Sequence, residues 1–152
     1  MAYPEYMIRG IPNQGFFDSD DRPTTGLFQF DSVRNDGLAE LSINWYDEDA
    51  SLDHIMNQRK EATDKIQFEA GAAVLFRSFI DMLDTRKMLE GVLSYERALL
   101  PGNSYHGNLL RNGNHNDKQF RNFVAASILL CVDRIVLREA WERQANTTSK
   151  KP

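Results

Sequence analysis

The chain predicts an α+β domain, a small antiparallel or mixed sheet packed by helices, and three observations carry that prediction. Short alternating segments and turn formers fill the first 50 residues or so, helical patterns begin only after Asp47, and residues 118–144 read as one long buried C-terminal helix. Strands gathered early and helices gathered late indicate α+β rather than regular βαβ winding. The 152 residues, 41% hydrophobic and 26% charged, suit a single globular domain of ordinary composition. We place that domain at residues 1–146, and residues 147–152 read as a polar C-terminal tail.

Taken in order, Tyr6–Ile11 reads as a short strand closed by Gly10 and Pro12, and residues 13–25 are turn formers and acids. Gly26–Phe30 reads as a strand. Asn35-Asp36-Gly37 marks a tight turn, because Asp-Gly tolerates positive φ. Leu38–Tyr46, LAELSINWY, alternates apolar and polar residues at strand period. The acids Asp47, Glu48 and Asp49 suit the positive end of a helix dipole, with Asp49 or Ser51 as cap and Leu52, Ile55 and Met56 on one face. Residues 66–79 allow strand or helix. The reading taken is strand to about Phe76, then a helix over Phe79–Met88. Leu93–Leu99 is the next strand.

Residues 101–116 then read as an irregular loop braced by Asn103, Asn108, Asn112, Asn114 and Asn116, because asparagine bonds its own backbone in turns. Asp117 caps the long helix. Around Ile128–Val132 that helix is apolar on nearly every side, which implies central burial or two partners. Phe123, Ile128, Cys131, Ile135 and Trp141 are its expected buried face.

The net charge of −4 and the absence of a basic stripe disfavour nucleic acid as a partner without excluding a local basic pocket. No apolar run reaches the roughly 20 residues that a membrane-crossing helix takes, and no signal-peptide pattern opens the chain. A soluble, cytoplasmic protein without a membrane role is the expectation. Cys131, the one cysteine, cannot form an intrachain disulfide and reads as a small buried hydrophobe. No Gly-rich phosphate loop, dinucleotide fingerprint or nucleophile elbow occurs. The acidic runs lack a calcium-loop register, and the histidines lack the spacing of paired zinc ligands. No cofactor and no metal are expected.

Chemistry is densest between residues 92 and 117. Glu96, Arg97 and His106 offer a carboxylate, a guanidinium and an imidazole, the groups that metal-independent acid–base chemistry on a phosphodiester requires. Glu96 and Arg97 are neighbours on a strand, however, so their side chains are expected on opposite faces. A broader binding surface is expected from Tyr95, Arg97, Asn103, Tyr105, His106, Asn108, Arg111 and His115, beside a helix start that favours anions. Phe16 and Phe17, adjacent in an acidic turn segment, either fold back onto the core or anchor a partner. The function expected is a non-catalytic protein-interaction module, a homodimer or a subunit of a larger assembly. The alternative is a small metal-independent nuclease or phosphodiesterase using residues 95–115.

Overall fold

The computed structural model describes residues 3–114 and 116–149. Among the described residues six strands and four α-helices follow one another: β1 Tyr6–Ile11, β2 Leu38–Tyr46, α1 Asp49–Asn57, β3 Gly71–Phe76, α2 Arg77–Leu83, β4 Leu93–Arg97, β5 His106–Asn112, α3 Lys118–Leu129, β6 Val132–Leu137 and α4 Arg138–Ser149. The strands form one open sheet in the order β4-β5-β2-β1-β3-β6, and every pairing is antiparallel. The α+β class therefore holds. Among the described residues no helix is long and apolar enough to cross a membrane.

Alternation gives the sheet two distinct faces. The first carries Met7, Leu41, Ile43, Trp45, Ala73, Leu75 and Leu109 into the main core, closed by Ile80 and Leu83 of α2, by Val124, Ala125 and Ile128 of α3, and by Leu27 and Phe28. On the second face, Ile8 and Ala72 form a smaller core with Ile55 and Met56 of α1, and Trp141 of α4 packs against it. That smaller core lies over β1, β3 and β6, with Tyr46 of β2 packed at its edge. Trp45, fully buried, crosses β5 at Gly107, where an added Cβ would lie 2.2 Å from its Nε1. The indole fits because that strand position has no side chain.

Several expectations need correction. The single long helix over residues 118–144 is instead α3, an edge strand β6 and α4. Its all-round apolar appearance came from joining a helix end to a strand, so two periodicities overlapped. Ile128 and Cys131 are buried as expected, Phe123, Ile135 and Trp141 are half-buried, and Leu130 faces solvent at 73% exposure. Gly26–Phe30 is no strand; a 3₁₀ turn spans Thr25–Phe28. Leu27 and Phe28 are both buried, which a strand with one covered face would not allow. The irregular loop over residues 101–116 contains β5, paired on both sides by β4 and β2.

The second helix covers Arg77–Leu83 rather than Phe79–Met88 and buries Ile80 and Leu83, leaving Phe79, Met82 and Met88 exposed. In α1 the cap is Glu48, without a side-chain bond, and Ser51 Oγ donates to the Glu48 carbonyl at 2.6 Å. Asp117 does cap α3, accepting from the Phe120 amide at 2.7 Å. The tail expected from residue 147 is helical backbone to Ser149, and residues 150–152 lie outside the described residues.

Candidate functional site

The β4–β5 hairpin carries most of the residues singled out by sequence, and its register decides which of them meet. Glu96 stands opposite Asn108, and Arg97 opposite Gly107. His106 stands opposite Asn44, and Asn108 opposite Ser42. Cross-strand partners share a face. Glu96, Asn108, His106, Asn44 and Ser42 therefore lie together on the second face, over its β2–β5–β4 half. Tyr95, Arg97 and Arg111 lie on the first face. The acid and the imidazole share a side, and both arginines are on the other.

On the second face, the organising group is one that the sequence reading passed over. Arg34 Nη1 donates to Glu96 Oε1 at 2.6 Å and to Glu40 Oε2 at 3.0 Å, while Nη2 donates to Asp36 Oδ2 at 2.6 Å. Asn108 Nδ2 donates to Glu96 at 2.9 Å and to Glu40 at 3.3 Å. The hydrogen bond from Arg34, with help from Asn108, holds the Glu96 carboxyl below the usual carboxylate range. Glu96 is thus a fixed, paired carboxylate, a poor proton donor near neutral pH.

His106 and Asn44 are oriented by their neighbours. His106 Nδ1 lies 2.7 Å from the Ala98 carbonyl oxygen. A carbonyl only accepts, so Nδ1 carries a proton there, and Nε2 is the ring nitrogen left to face other groups. Asn103 accepts from the Tyr105 amide at 3.0 Å, which fixes its oxygen, and its Nδ2 then donates to Asn44 Oδ1 at 3.1 Å. That chain of bonds fixes the Asn44 amide, and its Nδ2 is a buried donor with no partner.

Next to these groups β1 and β2 part company. They pair only over Tyr6–Ile8 and Asn44–Tyr46. Beyond this, Arg9 bridges the fork, Nη1 donating to the Ser42 carbonyl at 2.9 Å and Nε to the Leu27 carbonyl at 3.1 Å. Arg9, Asp31, Ser42, Asn44 and His106 line one cleft of about 380 Å³, with Gln58 and Gln67 on its walls. Phe68 also lines it, and its ring lies so close over Gly10 that an added Cβ would sit 2.4 Å from it.

The first-face residues are structural in their contacts. The Tyr95 hydroxyl donates to Asp81 at 2.5 Å, and burial, then Asp81, pushes its pKa up. Its ring packs edge-on to Trp45. Arg97 pairs with Asp47 at 3.7 Å and stands over the Trp45 ring. Arg111, 2% exposed, lies over Phe30 and donates to Asn116 at 2.8 Å. Burial lowers its pKa, as does nearby Arg121. Tyr105 donates to Glu48 at 3.0 Å. His115 lies outside the described residues. Phe16 and Phe17 are half-buried against the main core. Among the described residues no group of three or more His, Cys, Asp or Glu could hold a metal ion.

Arg9, Asp31, Arg34 and Asn44 are the participants that sequence reasoning missed. One signal existed. In LAELSINWY the polar residues Glu40, Ser42 and Asn44 alternate with the apolar ones, which marks a second face of polar character. Nothing local placed Arg9 or Arg34 beside it. No protein-family model matches the chain, and no curated protein or solved structure matches it.

Proposed function

We propose that the chain is a non-catalytic protein-interaction module that meets its partner through an apolar patch joining α2 to the end of α3. The observation carrying this reading is that Phe79, Met82 and Leu130 are 44%, 63% and 73% exposed yet line one shallow depression of about 340 Å³. Exposed apolar side chains scattered singly are ordinary, whereas contiguous ones mark contact surfaces. The engagement of Glu96 by Arg34 supports the same reading, because it withdraws the carboxylate that acid–base chemistry would use.

The test is a Met82→Glu, Leu130→Glu double variant. Light scattering of the wild-type chain is expected to show a dimer, or cross-linking in cells a stable complex with another subunit. The variant is expected to lose the association with an unchanged melting temperature. A wild-type monomer at high concentration that cross-links to nothing would sink the proposal. The phosphodiesterase reading retains one favourable observation, that Glu96, Asn108 and His106 share a face. It requires metal-independent hydrolysis of a model phosphodiester that His106→Ala abolishes.

A further inference from the structure

The cleft at the β1–β2 fork carries a guanidinium and a carboxylate that are in no ion pair among the described residues. Arg9 and Asp31 both line it. Among the described residues neither is in a salt bridge and Arg9 Nη2 makes no hydrogen bond, although the guanidinium still feels the Asp31 charge. A half-buried guanidinium left without an ion pair gains from an anion placed beside it. Here the complementary charge, Asp31, lines the same cleft and forms no ion pair with Arg9.

The rest of the lining is neutral and directional. Asn44 supplies the partnerless Nδ2 donor. The ring of His106 supplies Nε2, the nitrogen left over by its bond to Ala98. Gln58 donates to Gln67 at 2.9 Å, which leaves one amide oxygen and one amide nitrogen of the pair unused. Ile55, Phe68 and Leu100 give an apolar side. The volume of about 380 Å³ falls at the small end of the range for small-molecule sites.

We infer that this cleft binds a small zwitterion of the free amino-acid class, its carboxylate against Arg9, its ammonium against Asp31 and its side chain towards Phe68 and Leu100. One molecule of that kind answers both unpaired charges at once. A simple carboxylate answers only Arg9, and an amine only Asp31. The inference concerns a different surface from the apolar patch and stands or falls independently of it.

Thermal-shift assays followed by calorimetry test it, with the common L-amino acids as probes at millimolar concentration. Each is compared with its N-acetyl derivative, which lacks the ammonium, and its carboxamide, which lacks the carboxylate. At least one free amino acid is expected to raise the melting temperature dose-dependently, with both derivatives weaker by about tenfold or more. Asp31 is exposed, so Asp31→Asn is expected to fold normally and to weaken the amino acid by about tenfold while leaving its N-acetyl derivative unaffected. Arg9→Gln should weaken both, and Asn44 side-chain amide resonances in ¹⁵N spectra should move when the wild-type protein is titrated. Absence of any shift with every amino acid, or equal binding of the free and N-acetyl forms, overturns the inference.

Discussion

Along β2, Leu41, Ile43 and Trp45 enter the main core, while Glu40, Ser42 and Asn44 lie on the opposite face beside Arg34, Asn108 and His106. The same strands thus build two surfaces with different physics. On the first face, stability comes from apolar area removed from water, and its polar groups are tied off singly, Trp45 Nε1 to the Glu96 carbonyl at 3.3 Å and Tyr95 to Asp81. On the β2–β5–β4 half of the second face, charged and amide groups hold one another in a network, and a few remain without partners. The apolar face defines the fold, whereas the polar half-face keeps buried groups, Asn44 Nδ2 and Asn108 Oδ1, without hydrogen-bond partners among the described residues.

If that division is right, the largest losses come from the first face. Trp45→Ala removes a fully buried ring that also stacks on Tyr3 at 4.8 Å between centroids. Chemical denaturation should show a loss of about 3–5 kcal/mol. Ile128→Ala, also fully buried, should cost about 2–5 kcal/mol. An unchanged midpoint in either would break the comparison at its stronger half.

Gly107→Ala sharpens it at the point where the faces touch. The added methyl would meet Trp45 Nε1 and the Glu96 carbonyl, the latter at 2.6 Å. Overpacking of this kind costs about 1–3 kcal/mol, and the Trp45 fluorescence spectrum should shift, since the indole must move. A next, smaller loss of about 1 kcal/mol is expected for Tyr95→Phe, which removes one hydrogen bond and keeps the ring.

The polar half-face should reveal itself in pH dependence more than in total stability. The folded-state pKa values of Glu96 and Asp36 are depressed by Arg34. The stability they contribute is present above the ordinary carboxylate range and is lost as pH falls through their lowered values. Melting temperatures measured downward from neutral pH should therefore fall in the acid range, and Arg34→Gln should flatten that slope. An identical slope in the variant would show that the network is electrostatically idle.

The smallest effect on stability is expected for Leu130→Glu alone. At 73% exposure the side chain contributes little to the core, and surface changes of this kind usually stay within about 0.5 kcal/mol. A large destabilisation would mean that the apolar patch belongs to the fold and not to an interface.

Much of the local structure was legible in the sequence. LAELSINWY is a strand, Asp36-Gly37 a turn with Gly37 at φ 83°, Asp117 a helix cap, and the strand expected from residue 66 does end at Phe76, although it begins only at Gly71 and its helix runs over Arg77–Leu83 instead of Phe79–Met88. The opposite facing of Glu96 and Arg97 also followed from alternation alone. By contrast, HGNLLRN concealed β5, because Asn and Gly are depleted in strands. Its central place, bonded on both sides, overrides that weak local preference. VDRIVL was hidden within a helical reading, because its charged residues resemble a helix surface, and only pairing with β3 makes it an edge strand.

The sequence by itself determined the periods, the turns and caps, and therefore which residues of any one strand share a face, since these depend on backbone geometry over a few contiguous residues. Only the tertiary structure decided that β5 lies between β4 and β2, that α3 gives way to β6, and that Arg34 reaches Glu96 from 62 positions away. It alone set Arg9, Asp31, Asn44 and His106 around one cleft. Pairing between distant segments is settled by the joint burial and hydrogen bonding of the whole sheet, and no local pattern encodes it.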